Sequence, residues 1–342
     1  MCDVVQSAKH TPQTLPPGTK LVVLSDGRAG HDSQTFGLAA ALGVEKQVAP
    51  IAPRGLFKLL APFGPVDPRD AASARRYQPD IVLAAGRRTI PALRYMKKIA
   101  RGKTFTVYLN KPHTGLGAAD LIIAPSHDAL NGANVISTIT PVNSLTESQL
   151  AAARKNPDPR IGALPGKRVA LLIGGDSHHF KFTPQVQKQL THIARQICLS
   201  GASLMATPSR RTPPSLIDML KDRLRAFPSF LWDGTGENPY LSLLACADAF
   251  LITADSVNMI SEAASTGAPI HIFTPPGGHQ KLIKFQNKLA TAGAARLWRG
   301  ALEDWRYDPI NATPMIAQSV ISAYNQYVQQ YPPKSCSLAH NR

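Results

Sequence analysis

Short apolar runs that stop at turn or polar residues recur along the chain, with amphipathic stretches between them. LVVLSDG (21–27), DIVLAAG (80–86), TFTVYLN (104–110) and DLIIAPS (120–126) read as buried strands. Each is too short for an ordinary buried helix, and each ends in Gly, Asn or Ser. DSQTFGLAAALG (32–43) reads as a helix with an Asp-Ser start and a Gly stop. Such alternation of strand and helix predicts a parallel sheet covered by helices.

The pattern breaks between Glu147 and Lys167, where AAARKNPDPRIGALPGK (151–167) carries three prolines and suits an interdomain linker. It then restarts with RVALLIGGDS (168–177), ASLMATPSRR (202–211), FLWDGTGEN (230–238), AFLITADS (249–256) and PIHIFTPPGG (269–278). The expected plan is α/β: two Rossmann-like domains, 19–150 and 168–310, with parallel sheets facing a central cleft. A helix over 311–330 and a tail over 331–342 follow. Residues 1–18 are Pro-rich and polar, without the apolar core of a secretory signal, and read as a disordered leader.

Composition narrows the picture only in part. A chain of 342 residues with 44% hydrophobic content has room for two full cores. No run approaches the roughly 18 uninterrupted apolar residues of a membrane span, so a cytoplasmic location is expected. Cys2, Cys198, Cys246 and Cys336 have no metal-like spacing and read as reduced thiols, Cys198 and Cys246 being small core residues. With 38 Lys and Arg against 22 Asp and Glu, a formal charge of +16, the chain favours polyanions, phosphorylated small molecules or anionic lipid headgroups.

Ligands of parallel sheets sit at the carboxyl ends of the strands, where the polar and Gly-rich residues of this sequence collect. SDGRAGHDSQ places Gly27, Gly30 and His31 between a strand and a helix, and is neither a P-loop nor GxGxxG. In IGGDSHHFKFT, Gly174 and Gly175 give backbone room near a ligand and Ser177 can donate or accept. The adjacent His178 and His179 project differently and have no third ligand nearby in sequence, which argues against a metal. TPSRRTP offers Arg210 and Arg211, whose forked guanidinium groups suit phosphate. In TADSVNMISE, Asp255 or Ser256 is expected to cap a helix whose first amides face a diphosphate, and Glu262 to accept hydrogen bonds from ribose hydroxyls. Each stretch has a plainer reading as a tight turn, a solvated charge pair or an ordinary cap.

Taken together, SDGRAGHDSQ, DLIIAPSHD, NVISTIT, LLIGGDSHHFKFT, TPSRRTPP, WDGTGENPY and TADSVNMISEAASTGAPIHIF, in order from 25 to 273, resemble the mitochondrial-fission Elm-type family of plants and its bacterial homologues. That family is similar to GT-B glycosyltransferases, in particular the enzyme that adds N-acetylglucosamine to the lipid-linked peptidoglycan precursor. The resemblance implies a GT-B-like fold, with Gly30-His31 matching the Gly-His of a first-strand loop and Glu262 the ribose-binding Glu. The first loop departs from a fully Gly-rich turn, and the plant member is described as a fission factor.

The implied reaction is transfer from a nucleotide-sugar to an acceptor hydroxyl, with His31 as base and Asp26 or Asp32 as substitutes; an imidazole's ordinary pKa of about 6.5 suits that role. Leaving-group charge would meet Arg210 or Arg211 and the amides after Ser256. No Asp-X-Asp occurs, and positions 254 and 270, eight residues either side of Glu262, are Ala and Ile. An inverting, metal-independent transfer without cofactor is therefore expected. Two rivals stay open: a nucleotide-sugar 2-epimerase of the same fold, and a non-catalytic adaptor at a membrane. Nucleic-acid binding ranks last, since its motifs are absent and aromatics are only 6%. A lipid-linked acceptor would bring the chain to the inner face of the cytoplasmic membrane as a peripheral protein. RGLFKLLAPFG (54–64) and RYMKKIARGK (94–103) are the candidate contacts, though leucines at the spacing of the first suit a core helix equally well. The sequence does not speak to oligomeric state.

Overall fold

A computed structural model describes residues 14–330. The expected leader falls mostly outside the described residues, as do the tail, Cys2 and Cys336. The chain divides into two units, one of residues up to 125, 129–138 and from 312 on, the other of residues 126–128 and 139–311.

In the first unit, β1 (Leu21–Ser25), α1 (Ala29–Ala41), β2 (Lys46–Pro50), α2 (Gly55–Leu60), α3 (Pro68–Ala74), β3 (Ile81–Ala85), α4 (Ile90–Ile99), β4 (Phe105–Leu109), β5 (Leu121–Pro125) and β6 (Val135–Thr138) follow one another. The six strands form one parallel sheet in the order β2-β1-β3-β4-β5-β6. β3, β4 and β5 are buried along their whole length, as the unbroken apolar runs require of strands covered on both faces. α1 starts at Ala29, three residues before the expected Asp-Ser start, and ends before Gly43, whose φ of +69° closes it. β2, KQVAP, is exposed at four of five positions, so its pattern gave no strand signal.

The second unit opens with α5 (Glu147–Lys155) and α6 (Pro159–Gly162). Residues 151–167 thus include the end of α5 and all of α6, and most of them are exposed. Thr146 and Gln149 form a reciprocal capping box that starts α5, Asp158 caps α6, and Ile161 and Leu164 enter the core. Two of the three prolines sit at or beside the start of α6, where a missing N–H costs nothing.

There follow β7 (Arg168–Ile173), α7 (Pro184–Leu199), β8 (Ser203–Pro208), α8 (Pro214–Leu224), β9 (Ser229–Leu231), α9 (Tyr240–Cys246), β10 (Ala249–Thr253), α10 (Val257–Ala264), β11 (Ile270–Phe273), α11 (Gln280–Thr291) and β12 (Ala295–Leu297). Their sheet is again parallel, in the order β12-β11-β10-β7-β8-β9. Along β7, Ala170 and Leu172 pack into one core cluster while Val169, Leu171 and Ile173 pack into another, so the strand is buried on both faces. β9 (SFL) keeps only Phe230 and Leu231 of the expected FLWDGTGEN strand. α12 (Thr313–Gln330) belongs to the first unit, where the rings of Tyr324 and Tyr327 pack at a tilt against Phe105 of β4.

Each strand order contains one reversal. In the first unit the chain leaves β1 for β2 on one side and for β3 on the other; in the second it leaves β7 for β8 and β9, then crosses to β10. A reversal of this kind opens a crevice beyond the carboxyl ends of the two central strands. The chemistry-bearing residues follow β1 and β3 in one unit, β7 and β10 in the other.

Candidate functional site

At the first reversal, Asp26 follows β1 with its side chain 2% exposed, and its Oδ1 lies 3.0 Å from Nδ1 of His31 on the first turn of α1. The carboxylate accepts from Nδ1–H, which fixes the imidazole's orientation and leaves Nε2 as its free acceptor. Gly86, just after β3, forms the wall. Its φ is +85°, and a Cβ there would stand 2.5 Å from His31 Nδ1 and 3.0 Å from Asp26 Oδ2. Asp32 is turned away from this pair and accepts from Ser25 Oγ at 2.7 Å. Gly27, at φ +71°, makes the turn between them, whereas Gly30 lies within α1.

Around the pair stand residues that the sequence reading passed over. Asn110, ending β4, has φ +80° and donates from Nδ2 to Gln34 Oε1 at 3.0 Å. A non-glycine residue held in the left-handed region at a strand's carboxyl end marks a constrained site. Burial, and then the Asp26 charge, push the Tyr108 phenol pKa upward. Arg88, two residues beyond Gly86, has its Nε shielded from solvent without a hydrogen-bond partner among the described residues. Only Gly86 carried a legible signal, a strand-terminal glycine like Gly27.

At the second reversal the side chains tie the strand ends together. Asp255, its side chain 0% exposed, accepts from Gly175 N at 3.0 Å, Arg211 Nη2 at 2.8 Å and Thr253 Oγ1 at 2.7 Å. Thr253 Oγ1 in turn accepts from Gly174 N at 2.7 Å. Arg211 donates further to the carbonyls of Gly175 and Asp176, both at 3.1 Å. A Cβ on Gly174 would lie 2.1 Å from the Asp255 carboxylate, and one on Gly175 2.0 Å from the Arg211 carbonyl. The space those glycines leave is therefore filled by the protein itself, and Arg211, although partly exposed, is held by the buried Asp255 carboxylate. Arg210 is exposed and makes no hydrogen bond or ion pair with the described residues.

Ser256 stands at the N-cap of α10 without a side-chain hydrogen bond, and Asp255 is committed to the knot, so neither caps the helix as expected. The first-turn amides of α10 keep the partial positive charge of an uncapped N-terminus. Glu262, half-buried on the same helix, accepts from Tyr240 Oη at 2.5 Å. Burial raises its pKa above the ordinary carboxylate value, and the Tyr240 hydrogen bond opposes that rise. Tyr240 was not legible in sequence, since it reaches Glu262 from α9.

Ser177 serves its own loop, Oγ accepting from Phe180 N at 3.1 Å and His179 N at 3.3 Å. His178 and His179 do have an imidazole beside them: His279, before α11, lies with its ring 4.5 Å from that of His179. Its Nδ1 accepts from Lys281 N, and among the described residues no group of three His, Cys, Asp or Glu side chains is arranged to hold a metal.

Two doubly covered parallel sheets, each with its polar residues gathered beyond one strand reversal, define a GT-B-type α/β protein. Solved structures agree on the fold. The chain matches a putative UDP-N-acetylglucosamine 2-epimerase from Listeria monocytogenes at TM-score 0.58, with 11% identity over 94% of this chain and 99% of that one. The 2-epimerase of Methanocaldococcus jannaschii, solved in complex with UDP-GlcNAc and UDP, matches at 0.52, with 11% identity over 90% and 99%. The spinosyn forosaminyltransferase SpnP matches at 0.50, with 12% identity over 92% and 98%.

Residues 29–324 match the family described as mitochondrial fission ELM1, and the chain belongs to that family. It is 30% identical to the mitochondrial fission protein ELM1 of Arabidopsis thaliana over 71% of this chain, and spans 63% of that relative's length. To an uncharacterized protein of Rickettsia prowazekii (strain Madrid E) it is 26% identical, over 87% of this chain and 96% of the relative.

Proposed function

We propose that the protein transfers a sugar from a nucleotide-sugar to the hydroxyl of a membrane-associated acceptor, with inversion and without a metal. The observation that carries this reading is the Asp26–His31 pair, walled by Gly86 at a strand reversal. A buried carboxylate holding one imidazole nitrogen leaves the other to take a proton, the arrangement a general base requires.

In the proposed reaction the acceptor hydroxyl loses its proton to His31 Nε2 as its oxygen bonds to the anomeric carbon, while the bond from that carbon to the diphosphate breaks. The charge leaving with the nucleoside diphosphate is met by the first amides of α10 and by Arg210, the one of the two arginines that the knot does not occupy. Glu262, whose Oε2 is held by Tyr240, has Oε1 to offer a ribose hydroxyl. The Methanocaldococcus enzyme is named with UDP-GlcNAc and UDP, which supports a uridine nucleotide-sugar as the first ligand to test. The +16 charge supports an anionic acceptor or surface, and among the described residues no helix is long and apolar enough to cross a membrane.

Titration calorimetry with UDP and UDP-GlcNAc tests the donor, and incubation of UDP-GlcNAc with and without a lipid-linked acceptor tests the chemistry. Acceptor-dependent release of UDP supports transfer. Epimerised sugar without acceptor would replace transfer with 2-epimerisation, and no nucleotide binding at all would leave an adaptor built on this fold.

A further inference from the structure

Ten large apolar side chains are strongly exposed among the described residues, and four of them, Leu56, Leu59, Leu60 and Phe63, fall within eight positions. Their exposures are 65%, 74%, 43% and 72%. Single exposed leucines are ordinary, but a cluster of this kind marks a surface that something covers. The i, i+3, i+4, i+7 spacing looks like a core face, yet no residue of α2 is buried.

The base of this segment is fixed. Ala61 and Pro62 are buried, and their carbonyls accept from Arg87 Nη1 at 3.2 Å and Arg94 Nη1 at 3.4 Å. On the approach to α2, Ala52 N donates to Asp70 and Arg54 N to Asp67, both acids being buried. The apolar tip therefore stands on a rigid footing and is not a frayed loop.

The surrounding charge has one sign. From Lys46 to Val66 the chain has no Asp or Glu, while Arg54 and Lys58 are exposed beside the leucines and Arg87 and Arg94 flank the base. Asp67 and Asp70, the nearest acids in sequence, are spent on backbone amides. Apolar side chains at a tip with only cations around them match an anionic bilayer surface, where the cations meet headgroups and the apolar groups enter the boundary with the acyl chains.

We propose that α2 and Phe63 form a wedge that inserts into the interface of an anionic membrane. The inference does not rest on sugar transfer, and variants at Glu262 or His31 are expected to bind membrane as the parent chain does.

Flotation with vesicles of phosphatidylcholine containing one-third phosphatidylglycerol, against vesicles of phosphatidylcholine alone, tests it. The full chain is expected to float with the anionic vesicles, less so at high salt. Leu59→Asp and Phe63→Asp, both at exposed positions, are each expected to weaken partition by about tenfold or more, and Lys58→Glu by about fivefold at low salt. Ile283→Asp and Leu199→Asp, at exposed apolar sites of the second unit, are expected to change nothing. Trp placed by Phe63→Trp is expected to shift its emission to the blue on vesicles and to be quenched by brominated acyl chains. Absence of binding by the full chain, or equal binding by Leu59→Asp and Phe63→Asp, overturns the proposal. So does sedimentation showing that those two variants only dissociate a self-associated form, since the wedge would then be an interface between copies.

Discussion

Gly86 is the residue on which the first site turns, because the space its missing Cβ leaves is the space the His31 ring occupies. Gly86→Ala places a Cβ only 2.5 Å from that ring and adds strain at φ +85°, so the imidazole must swing off Asp26. Loss of more than about 1 kcal/mol of stability in a denaturant titration is expected, with turnover falling nearly as far as in His31→Gln. His31→Gln itself is expected to lower kcat by about 10²–10⁴-fold with donor affinity unchanged. Asp26→Asn should fall in the same range with KM little changed, since an amide facing Nδ1 no longer selects its protonated form. Wild-type turnover in either variant removes the pair from the chemistry.

Glu262 allows a test that separates binding from stability. Its folded-state pKa is raised, so the folded state holds the proton more tightly and this group's contribution is fully present only below the unfolded value of about 4.3. The contribution is lost as pH rises through the folded value. Glu262→Gln removes the titration, so the gap in Tm between variant and parent should move in the variant's favour as pH climbs from about 4 to neutrality. Nucleotide affinity measured by calorimetry should nonetheless drop by about 1.5–3 kcal/mol if the carboxylate holds ribose. A site that costs stability and is retained for binding has that signature.

Among the elements, the ends of β7 and β10 and the loop after β8 behave as one piece. Asp255 joins all three through Gly175 N, Thr253 Oγ1 and Arg211, while Arg211 stays partly exposed and screened by solvent. Asp255→Ala should therefore cost about 2–4 kcal/mol in chemical denaturation, below a fully buried ion pair because Arg211 can rehydrate. Loosening the knot also frees the start of α10, so nucleotide affinity should fall even though the Asp255 carboxylate is fully buried. A variant as stable as the parent would show that the strand ends do not depend on this carboxylate.

For the whole molecule, a nucleotide that binds only the folded chain raises stability by mass action, about 2.7 kcal/mol at a hundred times Kd. UDP and UDP-GlcNAc are expected to raise Tm in proportion to the logarithm of their concentration, and adenosine diphosphate to do so less. An equal response to every polyanion would point to the +16 charge alone and not to a built site.

The alternation of apolar runs with amphipathic stretches was enough to predict parallel sheets, because strands buried on both faces must be apolar at consecutive positions, as Ile81–Ala85 and Leu121–Pro125 are. The same rule hid β2 and β12, short strands with exposed positions. Glycines and acids at strand ends were legible as a group, since backbone turns and polar atoms both need those positions. Their individual roles were not. Whether Gly174 makes room for a ligand or for Asp255, whether Arg210 or Arg211 stays available, and whether Leu56, Leu59 and Leu60 face a core or the outside depend on which strands lie side by side. Local sequence sets what a residue can bond to, but only the packed sheet decides which of those bonds a neighbour has already taken.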